Sequence, residues 1–183
     1  MALEPETLRN MQIRVAIASI GPSALRGSKT GTIGTAKKFF KNLDLSKVQA
    51  GDQAAFNTLH NALVDELQSH LSTKDLSSEF GRCAKALNLF LRDATSHFHL
   101  RAAYGFDLLE SLLHLPIDSK VSEGLIKLSP PNTFLRWAGV KHLEREEYNK
   151  YQKYAAMCAT NRGISRIFLD DVFYPASKEK VRE

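Results

Sequence analysis

Residues 80–96 read FGRCAKALNLFLRDATS, and this stretch decides the fold. Leu87, Leu91 and Ala94, continued by Phe98, recur at spacings of four, three and four, which is the repeat of one helical face. Ala84, Ala86 and Phe90 widen that face, so the segment predicts a largely buried helix at the centre of an all-α domain. Lys85, Asn88, Arg92 and Ser96 recur at three, four and four residues and form a polar stripe along it. Packing alone gives a buried helix no reason to carry such a stripe, because each polar group taken from water must find a partner.

The flanking segments are helical as well. Asp52 to Leu71 carries Phe56, Leu59, Leu63, Leu67 and Leu71 at spacings of three and four and predicts an amphipathic helix. Before it, Leu3 to Ile20 is compatible with a helix ended by Gly21-Pro22-Ser23, and Thr35 to Asn42 with a short one after the small-residue loop Gly27 to Gly34. That loop does not match GxxxxGK[ST] and follows no evident strand, so it is no nucleotide cradle, although a contact to a backbone phosphate fits its glycines. Ser72 to Asp75 reads as a break. Downstream, Tyr104 to Leu113 predicts a short helix, and Leu115-Pro116-Ile117-Asp118 leads into another from Ser119, with Asp118 at the N-cap. Ser129-Pro130-Pro131-Asn132 breaks the chain again before an amphipathic helix over Leu143 to Ala159. Arg166 to Phe173 closes the fold as a short helix or strand, and 176–183 reads as a frayed tail. The expectation is one compact multi-helix domain, with a division into two helical lobes, 1–75 and 76–175, and a cleft between them as its variant.

Composition narrows the class. The chain has 183 residues and is 43% hydrophobic, enough for one core, and it has no apolar run long enough for a membrane span. Its first 30 residues lack the order of a signal peptide, so the expected setting is cytoplasmic and reducing, with no membrane partner. Cys83 and Cys158 stand far apart and read as buried small hydrophobes rather than ligands. The net charge of +5 is unevenly spread: no acidic residue lies between Glu6 and Asp44, a stretch that holds Arg9, Arg14, Arg26, Lys29, Lys37, Lys38 and Lys41. Such a stretch favours phosphate or another polyanion, or it is a solvated face paired with carboxylates elsewhere.

The candidate chemistry rests on Lys85. Burial disfavours the charged form of an amine, which is one way an amine becomes a nucleophile. Asp118, 33 residues later, supplies a carboxylate if the fold brings the two together; the alternative is an ordinary structural ion pair. The histidines make poor metal sites. His60 and His70 lie ten residues apart on one helix, and His97 and His99 are two apart, which sends their side chains to different faces. With His114 they read as structural, and no metal or cofactor is expected. Asp93 and Asp107 read as helix-surface charges, and the adjacent Asp170-Asp171 has no recognisable partner in the sequence.

Gly81-Arg82-Cys83-Ala84-Lys85-Ala86-Leu87-Asn88, followed by Leu115-Pro116-Ile117-Asp118-Ser119-Lys120-Val121, resembles the catalytic core of the helix-hairpin-helix DNA glycosylase superfamily. The likeness covers about 40 residues, and its spacing is most similar to the archaeal 8-oxoguanine glycosylase branch. Where that superfamily carries an LPGVG hairpin, this chain has Ser77-Ser78-Glu79-Phe80-Gly81, and it lacks the four-cysteine cluster of the iron–sulfur branches. The resemblance implies base excision from DNA, with Lys85 as the Schiff-base nucleophile and Asp118 as the catalytic carboxylate. It also implies DNA contacts at Arg26, Lys29, Lys37, Arg82, Asn88, Arg92 and Lys120. Trp137 either stacks on an extruded base or fills the core. The rival reading is a non-enzymatic helical module that binds nucleic acid or protein through residues 9–41. A lysine-dependent enzyme acting on a small carbonyl compound is a third.

Overall fold

The computed structural model describes residues 3–25, 28–71 and 79–174. Arg26, the Ser72 to Asp75 break, Ser77 and Ser78 of the hairpin replacement and the 176–183 tail lie outside them. The described residues hold nine α-helices and no strand: α1 Pro5–Ser19, α2 Thr32–Asn42, α3 Gln53–Leu71, α4 Phe80–Ser96, α5 Phe98–Tyr104, α6 Leu109–Leu112, α7 Ser119–Leu128, α8 Arg145–Thr160 and α9 Leu169–Phe173. Three 3-10 turns, Leu45–Lys47, Val140–His142 and Arg166–Phe168, join them. The protein is all-α, and no helix of the described residues is long and apolar enough to cross a membrane.

The hub is α4. It packs against α1, α3, α5, α6, α8 and the Val140–His142 turn, and Cys83, Ala84, Ala86, Leu87, Phe90 and Ala94 are fully buried on it. One apolar cluster runs from Val15 to Leu169, so residues on both sides of the expected 75/76 division share a core. Gly81 permits the close approach of the Val140–His142 turn. A Cβ there would lie 2.2 Å from the Val140 carbonyl oxygen and 2.8 Å from Leu143 Cβ, so any side chain would push the turn off the helix.

Two expected elements differ. The helix expected over Tyr104 to Leu113 is two pieces, because Gly105 takes a left-handed conformation (φ 68°) and its N–H donates to Arg101 O, ending α5. Only four residues, Leu109–Leu112, turn helical again before the chain extends. The closing segment takes the helical one of its two expected forms, a 3-10 turn leading into α9. The Thr35 to Asn42 helix begins three residues earlier, at Thr32, entered through left-handed Gly31.

The extended segment from Leu113 to Asp118 matters most for the site. It is buried from Leu113 to Ile117 and has no neighbouring strand to satisfy its backbone, so side chains do so. Gln152 on α8 makes a two-sided clamp on Leu115, accepting from its N–H at 2.9 Å and donating to its carbonyl at 2.7 Å. Asn88 Nδ2 donates to the same carbonyl at 3.1 Å, and Arg166 donates to the carbonyls of Leu112 at 2.8 Å and Leu113 at 3.0 Å. Burial lowers the pKa of the Arg166 guanidinium to about 10, still far above neutrality, so it stays charged. The segment is thus tied to α4 and α8 just before it delivers Asp118.

Candidate active site

Lys85 sits in the second turn of α4 and is only 8% exposed. Its Nζ donates to Asp118 Oδ2 at 3.2 Å and to the Ser23 carbonyl at 3.1 Å. The two residues singled out in the sequence therefore meet. Ser23 belongs to the turn after α1 that Gly21 and Pro22 begin, closed by Ala24 N–H to Gly21 O at 3.1 Å.

Asp118 caps α7. Its Oδ1 accepts from the N–H groups of Lys120 and Val121, both at 3.1 Å, satisfying two donors that the helix start would otherwise orphan. Its Oδ2 accepts from Lys85 and from the Tyr174 hydroxyl. Burial pushes the Asp118 carboxyl up, but the Tyr174 hydrogen bond and the Lys85 charge outweigh it, and the group lies below the usual carboxylate range. At neutral pH the site holds a carboxylate.

The pair faces a cavity of about 530 Å³ lined by Ser23, Lys85, Asp118, Lys120, Trp137, Lys141 and Tyr174, with Ser119 and the backbone of 138–140 completing the wall. Three lysines and one carboxylate make it a net cationic cavity. Trp137 is half-buried and lies edge-on to Tyr151 with ring centroids 6.0 Å apart, so it both packs on the core and walls the cavity. It also lines a neighbouring cavity of about 320 Å³ together with Tyr151, a buried residue whose hydroxyl has no hydrogen-bond partner among the described residues.

The expected DNA contacts divide. Lys120 lines the cavity, with Nζ 4.5 Å above the centre of the Tyr174 ring. Lys29 is exposed and Lys37 half-buried, both away from the cavity wall, and neither pairs with a carboxylate among the described residues. Three of the residues do not face outward as a phosphate contact requires. Arg82 is buried, with Nη1 2.7 Å from Glu79 Oε1. Asn88 is 2% exposed and belongs to a sealed network. Arg92 is half-buried between Asp170, at 2.6 Å, and Asp93, at 2.9 Å, whose other oxygen accepts from Ser19 Oγ at 2.7 Å. The physical reason is shared: α4 is surrounded on nearly all sides, so its polar residues are satisfied internally. Asp93, read as a helix-surface charge, and Asp170, for which the sequence showed no partner, accomplish this for Arg92.

The sealed network lies one turn beyond Lys85. His60 Nε2 donates to Asn88 Oδ1 at 2.8 Å; Asn88 Nδ2 donates to Tyr148 Oη at 2.9 Å. Tyr148 donates in turn to His114 Nδ1 at 2.9 Å, and His114 Nε2 to Asn57 Oδ1 at 2.8 Å. The order of donors requires His114 to be neutral, since its Nδ1 accepts, while His60 bonds through Nε2 and its Nδ1 has no hydrogen-bond partner among the described residues. Burial keeps both imidazoles neutral, lowering the pKa of His60 to about 4 and that of His114 well below its ordinary value. Both histidines hydrogen-bond to side chains inside the core. Among the described residues no three His, Cys, Asp or Glu side chains gather to hold a metal ion, and Cys83 and Cys158 are buried free thiols.

Ser23, Lys141 and Tyr174 escaped the sequence reading. Ser23 acts through its carbonyl, which no residue type advertises, while Lys141 and Tyr174 reach the cavity only through the fold. No family model, no curated protein and no solved structure matches the chain.

Proposed function

We propose that the protein excises a base from DNA and cleaves at the resulting abasic site, with Lys85 as nucleophile and Asp118 as the carboxylate that stabilises positive charge at the sugar. The observation that carries this reading is the pairing of Lys85 Nζ with Asp118 Oδ2 at 3.2 Å on the wall of a cavity of about 530 Å³. An ion pair that served stability alone has no need of an adjoining cavity, nor of two further lysines around it. A lone buried pair is also weak evidence for stability in general.

The chemistry follows from these groups. A base inside a stack is out of reach, so the target nucleotide is turned into the cavity, at a cost of a few kcal/mol. Lys85 Nζ, after losing a proton, bonds to the sugar C1′ as the C1′–N glycosidic bond breaks. The bond's electron pair leaves with the base, which takes up a proton. Asp118, held ionised, stabilises the cationic sugar during this exchange. Ring opening gives a protonated imine between Nζ and C1′. Loss of a C2′ proton then expels the 3′-phosphate by β-elimination, and water releases Lys85. Lys120 and Lys141 are suited to the phosphates that flank the flipped nucleotide.

The test is reductive trapping with borohydride on duplex DNA bearing an abasic site or an oxidised purine. Wild-type protein is expected to form a covalent adduct and Lys85→Ala none. The second reading, a binding module acting through residues 9–41, is favoured by the described cations of that stretch, none of which pairs with a carboxylate among the described residues. DNA binding that weakens steeply with salt and with Lys29→Gln/Lys37→Gln, without any adduct, would select it.

A further inference from the structure

Asp118 accepts four hydrogen bonds. Two come to Oδ1 from the start of α7, and Oδ2 takes one from Lys85 and one from Tyr174. A carboxylate offers about four acceptor positions, so each is filled. Two of the donors are built into α7 and one is the proposed nucleophile. Tyr174 is the remaining donor, and it reaches the site from a separate element.

Tyr174 is held there by more than the bond it makes. It follows α9, which packs along α7. The contact is so close that a Cβ added to Gly124 would lie 2.2 Å from the Phe173 ring, so α7 carries a glycine where α9 lies down. At the other end of α9, Asp170 is gripped by Arg92 from α4 at 2.6 Å. Beyond Phe173 the Tyr174 ring turns under Lys120 and its hydroxyl reaches Asp118. Arg92 thereby finds its role: it anchors the element that carries Tyr174, on the same helix that carries Lys85.

We infer that Tyr174 is a positioning residue for Asp118, delivered by α9 as a strap across α7, whose hydroxyl orients the carboxylate toward Lys85. The inference rests on the Lys85–Asp118 reading and extends it to the residue that governs the state of the carboxylate. The charged groups facing Asp118 are Lys85 from α4, Lys120 from α7, Lys141 from the turn above the cavity and Asp170 from α9. Losing the hydroxyl leaves all four in place and removes one donor.

The experiment measures single-turnover borohydride trapping on an abasic-site duplex across a pH series, for wild type, Tyr174→Phe and Gly124→Ala. Tyr174 is exposed, so Tyr174→Phe keeps the fold, which circular dichroism confirms independently. Tyr174→Phe is expected to move the acidic limb of the rate profile to higher pH and to lower the plateau rate by about tenfold, since small misplacements of a reacting group cost up to about a hundredfold. Gly124→Ala, which dislodges Phe173 and with it Tyr174, is expected to move the limb in the same direction. An acidic limb that stays put in both variants, whether or not the plateau falls, overturns the inference while leaving the proposed function standing. Absence of trapping by wild type overturns the proposed function itself and the inference with it.

Discussion

Lys85 and Asn88 lie three residues apart on one helix and belong to the same polar stripe, yet they have opposite environments. Lys85 faces a cavity, carries charge and is met by a carboxylate. Asn88 faces the core and is met by the neutral His60 imidazole and by Tyr148, which carries the network on to His114. The difference separates function from architecture within one motif. The neutral half holds the Leu115 segment in place; the charged half uses what that segment delivers. A buried polar group tied off on every side specifies structure, whereas one left at a cavity wall is available for chemistry.

The comparison can be broken at either half, and the largest effect is expected at the charged one. Asp118→Asn keeps an N-cap of similar quality, so α7 should survive, while the trapping rate falls by about 10² to 10³, the loss typical of a deleted electrostatic stabiliser. Wild-type trapping kinetics in this variant would reduce the pair to a structural bridge.

Acid tests the neutral half. The folded-state pKa of His60 is depressed to about 4 by burial, against an unfolded value near the ordinary 6.5. Stability is therefore full above pH 6.5 and is lost as pH falls toward 4, because the unfolded chain takes up the proton first. His60 alone accounts for roughly 3 kcal/mol over that window, with His114 adding in the same direction. Denaturant melts between pH 7 and 4 check this, and His60→Gln should flatten the dependence. A stability unchanged across the window would mean that the network is not neutral and sealed.

Asn88→Ala should cost somewhat less, about 2 kcal/mol, by leaving His60 and Tyr148 short of partners in the core. Thermal unfolding measures the loss. Because Gln152 still holds Leu115, trapping should slow only mildly. An Asn88→Ala protein as stable as wild type, but unable to bind DNA, would restore Asn88 to the DNA contacts expected from sequence.

Much of this comparison was legible before the fold was known. Periodicity located α4, Pro116 and Asp118 marked the start of α7, and the resemblance of the two segments to a glycosylase core nominated Lys85 and Asp118 as a pair. That Arg82, Asn88 and Arg92 turn inward was not legible, for one shared reason. A stripe on a helical wheel tells which residues lie on one side, but what covers that side comes from α3, α8 and α9, far away in sequence. Tyr174 was illegible for the same reason: nothing local links it to a carboxylate 56 residues earlier.

The central claim is that Lys85, among the amines around the cavity, is the nucleophile. The most direct measurement is peptide mapping by mass spectrometry of the borohydride-reduced adduct formed on an abasic-site duplex. The account predicts that the deoxyribose remnant is attached to Lys85. Attachment to Lys120 or Lys141, which line the same cavity, or an adduct that persists in Lys85→Ala, would contradict it.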